Sequence, residues 1–196
     1  MNNEKTPQGG GFAALGVPEL LDRMLVKRGI VEPTPIQEQS IPVALKGQDV
    51  IGIAQTGTGK TFAFGLPTID RILQNKNEVG LIILPTRELA LQAEESLRPY
   101  ADGVNIRTAV LIGGASINIQ RKIMQKKPRL IFATPGRLID HIERFNLKLN
   151  NVGVLTLDEA DRMLDMGFAP QINRILEAVP DTRQTLLYSA TMPDDI

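Results

Sequence analysis

Ala54-Gln55-Thr56-Gly57-Thr58-Gly59-Lys60-Thr61 is the stretch on which the fold turns. It follows an apolar run, Asp49–Ala54, and opens a helical pattern over Thr61–Leu73. The octet fits a phosphate-binding loop, with Ala54 in place of the usual first glycine. Gly57 and Gly59 let the backbone turn tightly, so that successive N–H groups face one anionic site. The helix start behind them adds the positive end of its dipole. Lys60 is placed to reach the β- and γ-phosphates of a nucleotide, and Gln55, Thr56 and Thr58 complete the cradle. The Thr61 hydroxyl can ligate Mg2+, a hard cation that prefers oxygen. A plain glycine turn with an exposed lysine is the alternative. The Gly-Lys-Thr ending in a strand-to-helix setting favours the phosphate site.

Outward from this loop the same alternation continues. Apolar runs recur at Val79–Leu84, Arg107–Ile112, Arg129–Ala133, Gly153–Leu157 and Gln184–Ser189. Several are apolar nearly throughout, as strands covered on both faces are. Helical patterns separate them: Glu88–Leu97 closed off by Pro99, Ile117–Gln125, Arg137–Arg144, and Gln171–Ala178 between Pro170 and Pro180. Two more, Pro18–Lys27 and Pro35–Leu45, precede the first strand, each with proline suited to a first turn. The alternation predicts an α/β domain with a mostly parallel sheet and helices on both faces. Ligands of such sheets bind beyond the carboxyl ends of the strands, and the chemical motifs fall there.

Asp158-Glu159-Ala160-Asp161 follows the run Val152–Leu157. Two carboxylates at a strand end beside a phosphate loop suit one task. Asp158 holds Mg2+, directly or through water, and Glu159 positions the attacking water. Asp161 can link to neighbouring motifs. The same acids also complement the N-terminus of a helix over Ala160–Leu164.

Composition narrows the field. The chain has 196 residues, enough for one large domain. It has no cysteine, which excludes disulfides, thiolate metal sites and cysteine nucleophiles and fits a reducing, cytoplasmic setting. Lys plus Arg equals Asp plus Glu, 22 each, so nucleic acid would be held by a small local set of groups. No apolar run approaches the ~20 residues of a membrane span, and no membrane contact is expected. Residues 1–11 are polar and glycine-rich and read as a flexible leader. His141, the one histidine, has no second ligand candidate near it in sequence. Met163, Met166, Leu164 and Phe168 read as helix packing, and the basic stretch Arg121–Arg129 as a solvated helix face, with help to nucleic-acid association as its second reading.

The letters at 158–161 resemble the signature of DEAD-box RNA helicases, and further blocks follow that family's order. Gly29–Gln37, with Phe12 upstream, is similar to the Q motif, and Ala54–Thr61 to motif I. Pro85-Thr86-Arg87-Glu88-Leu89-Ala90 resembles motif Ia, Gly113-Gly114 the glycine doublet, and Thr134-Pro135-Gly136-Arg137 motif Ib. Ser189-Ala190-Thr191 resembles motif III. The likeness runs from about Phe12 to Pro193. It implies a RecA-like domain over 12–196 that binds ATP and Mg2+. Gln37, whose amide offers a donor and an acceptor, is the implied adenine reader, with Phe12 packing near the base. Ile30 stands where an aromatic often stacks. Pro85, Thr86, Arg87, Gly113, Gly114, Thr134, Pro135, Gly136 and Arg137 are implied to contact the backbone of single-stranded or short duplex RNA, which carries no base code. Asp161, Ser189, Ala190 and Thr191 are implied to couple nucleotide to RNA-dependent closure. Bland roles stand beside these: Phe12 as a core contact, Gln37 as an exposed helix residue, Thr86 as an N-cap, Gly113-Gly114 as a loop, Pro135-Gly136 as a turn, Ser189 and Thr191 bonded to local backbone.

The family's second RecA-like domain, whose arginines complete the ATP site, has no counterpart within 1–196. The expectation is a monomeric isolated domain that binds adenine nucleotide, hydrolyses ATP very slowly and does not unwind RNA alone. A P-loop ATPase acting on DNA or protein, and a nucleotide-gated binding module that never turns over, are the competing readings. A GTPase is disfavoured, since no Asn-Lys-x-Asp block occurs.

Overall fold

The six apolar runs become the six strands of a single sheet, and every neighbouring pair is parallel. The structure, a computed structural model, describes residues 11–192. The strands are β1 (Val50–Ile53), β2 (Val79–Ile83), β3 (Thr108–Leu111), β4 (Leu130–Ala133), β5 (Val152–Leu157) and β6 (Gln184–Ser189). They lie in the order β1-β6-β5-β2-β4-β3. The helices are α1 (Gly11–Ala14), α2 (Glu19–Val26), α3 (Pro35–Leu45), α4 (Lys60–Gln74), α5 (Arg87–Gly103), α6 (Ile117–Gln125), α7 (Pro135–Phe145), α8 (Ala160–Asp165) and α9 (Ala169–Ala178). Of the expected leader, residues 1–10 lie outside the described residues, as does Pro193; Gly11 belongs to α1.

Side chains alternate across the central strands and make two cores. Ile82, Phe132, Val154 and Leu186 face α2–α5, where Phe64, Ile69, Leu97 and Tyr100 are buried. Leu81, Ile83, Ile131 and Leu155 face α7–α9, where Leu138, Met163 and Ile175 are buried. β2, β4 and β5 are buried along their whole length, as the unbroken apolar runs required. Among the described residues no helix is long and apolar enough to cross a membrane.

Pro99 does not close its helix. α5 continues through it to Gly103. An interior proline costs about 3 kcal/mol, but Leu97, Tyr100 and Ala101 around it are all buried. Two large side chains at about 1.5–3 kcal/mol each offset that cost.

Strand order sets the geometry of the site. β6 is inserted between β1, which leads into the phosphate loop, and β5, which leads into the acids. Ser189, the last residue of β6, therefore stands between them. Its carbonyl accepts from the Ala54 N–H (2.9 Å) and its hydroxyl accepts from the Asp161 N–H (3.1 Å).

Candidate functional site

Two concavities open at the carboxyl ends of the strands. The first is a cleft of about 540 Å3 lined by Thr56, Gly57, Gly59, Lys60 and Thr61 of the loop and by Asp158 and Glu159 beyond β5. Gln92, Glu95 and Ser96 of α5 form its far wall; nothing in their sequence setting marks them. The loop turns on glycine at two left-handed positions, Gly57 (φ 87°) and Gly59 (φ 92°). At Gly59 a Cβ would also stand 2.5 Å from Gln37 Nε2. Ala54, Gln55 and Thr58 shape the loop from behind: Thr58 Oγ1 donates to the Gln55 carbonyl (2.7 Å).

Lys60 bridges loop and acids. Its ammonium donates to Glu159 Oε1 (2.7 Å) and the Ala54 carbonyl (3.0 Å), and lies 3.7 Å from Asp158 Oδ1. Thr56 Oγ1 donates to the same Glu159 oxygen (3.0 Å). All three charged side chains are buried. Burial pushes the Asp158 carboxyl up to about 6, against the pull of Lys60, and the neighbouring Glu159 charge adds to the rise. Glu159 takes a left-handed backbone (φ 56°), which costs a non-glycine residue of order 1–3 kcal/mol and belongs with functional sites. The Asp158 side chain supports the turn by accepting from the Glu159 N–H (3.0 Å). No three His, Cys, Asp or Glu side chains converge on a point among the described residues. Thr61 and Asp158 instead offer two oxygens to one cleft, a donor set that fits a Mg2+ keeping waters and phosphates as its other ligands.

Asp161 turns away from the cleft. Its Oδ2 accepts from both Thr191 N–H (2.9 Å) and Thr191 Oγ1 (2.8 Å). Partial burial raises its pKa, but the bonds from Thr191, the Arg162 backbone and Ser189 outweigh that and hold the carboxyl below its ordinary value. The acidic block and Ser189-Ala190-Thr191 are thus joined at both ends.

Gln37 is only 3% exposed, and its amide is engaged within the protein. Oε1 accepts from the Thr34 N–H (2.9 Å), capping α3, and Nε2 donates to the Gly59 carbonyl (2.9 Å). One N–H and one lone pair remain on it. Phe12 makes the core contact that stands as its bland reading. Its ring is 0% exposed within the core and does not line the cleft, because burying a phenyl ring outweighs presenting it to solvent.

The second concavity is a groove of about 460 Å3. Pro85, Thr86, Arg87, Gly113, Thr134, Gly136 and Arg137 line it, drawn from the ends of β2, β3 and β4. Thr86 is also the N-cap of α5, accepting from the Leu89 N–H (3.3 Å). Thr134 and Pro135 start α7, with Pro135 itself buried. Gly114 (φ 77°) lies behind Arg87, and a Cβ there would collide with the guanidinium. Arg87 is exposed and forms no hydrogen bond or ion pair among the described residues.

Arg137 is held by a set of bonds that sequence reasoning missed. It donates to the Ala115 carbonyl (2.8 Å) and to Gln120 Oε1 (3.2 Å). Gln120 Nε2 donates to the Ile112 carbonyl (2.8 Å), next to the glycine doublet. That orientation leaves Oε1 as the acceptor, so His141 Nε2, 3.3 Å away, carries the proton. Burial and the nearby Arg137 charge lower the His141 pKa, partly opposed by Asp140. Gln120 thus ties β3 to α7, a role that a lone glutamine in a helix does not advertise. Met166 also departs from expectation. It is 48% exposed and lines the groove beside Phe168, whereas Met163 packs in the core as expected.

Comparison with known proteins gives one answer. The family model for DEAD/DEAH box helicases matches residues 34–196. The chain is 50% identical over 186 residues to the ATP-dependent RNA helicase CshA of Limosilactobacillus reuteri, covering 94% of this chain and 37% of that protein. It is 52% identical over 171 residues to the DEAD-box ATP-dependent RNA helicase CshA of Streptococcus pneumoniae, covering 87% of this chain and 33% of the relative. The chain thus spans about a third of the length of these relatives. Among solved structures it resembles the RNA-helicase Prp28 from Chaetomium thermophilum bound to ADP (TM-score 0.84, 42% identity, 92% of this chain, 45% of that one). A DEAD box protein from Methanococcus jannaschii superposes with a TM-score of 0.86 at 36% identity, over 94% of this chain and 51% of the other.

Proposed function

The chain belongs to the DEAD/DEAH box helicase family, and from that membership we propose that it is the ATP-binding, RNA-contacting first domain of an ATP-dependent RNA helicase. The observation that carries the reading is the buried contact of Lys60 with Glu159 and Asp158 across the cleft. Phosphate oxygens arriving at the loop N–H groups compete with Glu159 for the Lys60 ammonium. Once released, Glu159 becomes an acceptor free to orient a water against the terminal phosphate. Thr61 and Asp158 would hold Mg2+, which supplies charge neutralisation to the phosphates. Gln37 meets adenine with its remaining donor and acceptor, and Thr34 and Gly59 report that contact to the loop.

In the groove, Arg87, Thr86, Thr134 and Arg137 bind phosphate and ribose without reading bases. Asp161 and Ser189 carry the state of the cleft to Thr191. Joined to a second RecA-like domain, ATP hydrolysis is coupled to local opening of a short RNA duplex in the cytoplasm. This domain alone, a monomer, binds nucleotide and RNA, turns ATP over very slowly and does not unwind.

Calorimetric titration with ADP and GDP, each with Mg2+, beside a Gln37→Ala variant tests the reading. Preference for ADP that the variant loses supports it. Equal binding of both nucleotides, indifferent to Gln37, would leave a P-loop nucleotidase without adenine selection.

A further inference from the structure

At the opposite pole of the sheet, where the strands begin, lie two adjoining cavities of about 520 and 310 Å3 that share Met124, Leu147 and Lys148. Their lining carries five cations, Lys76, Arg121, Lys127, Arg129 and Lys148, and no carboxylate. The cleft, by contrast, holds Glu95, Asp158 and Glu159, and the groove holds Glu88 and Asp140. In a chain of zero formal net charge this is a local concentration of positive charge.

Helix ends account for part of it. α4, α6 and α7 end here at Gln74, Gln125 and Phe145. Three carboxyl termini contribute roughly −1.5 charges in all, which five cations exceed. Arg129 is spent on the carbonyls of Ile72, Asn75 and Glu78. Lys76, Lys127 and Lys148 are exposed and form no ion pair among the described residues. Between the cations lie apolar and planar surfaces: the half-buried Met124 and Leu147, and Phe145 with the Arg121 guanidinium 4.9 Å above its ring. Cations for phosphates beside flat surfaces for bases are what a single strand requires.

The pole also joins the groove. Gly136 and Arg137, at the start of α7, line the groove, and Phe145, at its end, lines the smaller cavity. The 11 residues of α7 span about 16 Å, the length of about five stacked nucleotides at roughly 3.4 Å each.

We propose that this pole, whose two cavities have no carboxylate in their lining, is a second RNA-backbone surface, which receives the strand that leaves the groove along α6 and α7. The proposal rests on the groove being an RNA site and extends it.

The test measures binding of oligouridylates of 6 and 20 nucleotides to this chain by fluorescence anisotropy over a range of salt. The wild type is compared with Lys76→Ala/Lys127→Ala/Lys148→Ala and with Arg87→Ala, after equal melting temperatures show intact folds. The triple variant should bind the 6-mer as the wild type does. It should lose the 20-mer roughly 10- to 100-fold at 0.1 M salt and flatten the log–log salt slope by about 2, at ~0.7 per phosphate contact. An unchanged 20-mer affinity and slope overturns the proposal while leaving the groove reading intact. If Arg87→Ala leaves 6-mer binding unaltered while the lysines still govern the 20-mer, the groove reading fails and with it the path along α7, and the pole is an RNA surface by itself. Polyphosphate of matched charge, bound as tightly as RNA and lost in parallel, would show a general anion surface and overturn the RNA assignment.

Discussion

Replacing Asp158 by Asn should make this protein more stable and less useful. Asp158 is 6% exposed, and its carboxyl is pushed from 3.8 up to about 6. A folded-state pKa above the unfolded value means that the native state holds the proton more tightly. Stability therefore falls as pH rises from about 4 to about 6 and stays lowered above that. Two pKa units at 1.36 kcal/mol each give about 3 kcal/mol of native-state destabilisation at neutral pH. For a chain of this size that corresponds to a melting temperature about 6–12 °C lower than an uncharged side chain would allow. Asn keeps the shape and the acceptor for the Glu159 N–H, and Lys60 keeps its 2.7 Å partner in Glu159. In chelator-treated buffer, Asp158→Asn should melt about 6–12 °C above wild type at pH 7.5, and the difference should vanish near pH 4. Differential scanning calorimetry across pH 4–8 measures it directly. A variant no more stable than wild type at pH 7.5, or a difference independent of pH, would show that burial of this charge is not what costs stability.

Glu159→Gln removes the charge that holds Lys60 but keeps an oxygen for Thr56; nucleotide affinity should hold or rise while turnover in the two-domain protein falls at least 100-fold, read by titration calorimetry and phosphate release. Gly114→Ala places a Cβ against the Arg87 guanidinium at φ 77°; RNA affinity should drop about tenfold with ADP affinity unchanged, and a parallel loss of both would mean a general folding defect instead. Gln120→Ala leaves the Ile112 carbonyl without its side-chain donor and Arg137 without one acceptor; about 1–3 kcal/mol of stability should go, with weaker RNA binding, and an unchanged melting temperature would refute the linking role.

The sheet was legible because its strands are apolar on both faces, and period and turn chemistry agree with each other from Val50 to Ser189. The turn after β1 was legible because glycine takes the positive φ of positions 57 and 59 without steric cost. Pro99 misled, since local propensity says nothing about the core that Leu97 and Tyr100 fill on either side of it. Of the two readings of Phe12 the structure shows the core contact, in a burial that α2 and α3 decide. Gln120, Met166 and the wall formed by Gln92, Glu95 and Ser96 were invisible, because each acquires its role from a neighbour distant in sequence.

One consequence of the Lys60 trio lies in its charge. One ammonium and two carboxylates, Asp158 and Glu159, sum to −1 when all are ionised. A polyphosphate approaching by itself meets a like-signed floor, and the loop dipole has to work against it. The same polyphosphate carried in with a divalent cation brings two fewer negative charges to that floor. If the cleft is the nucleotide site proposed above, its affinity should track the supply of the ion as well as that of the nucleotide.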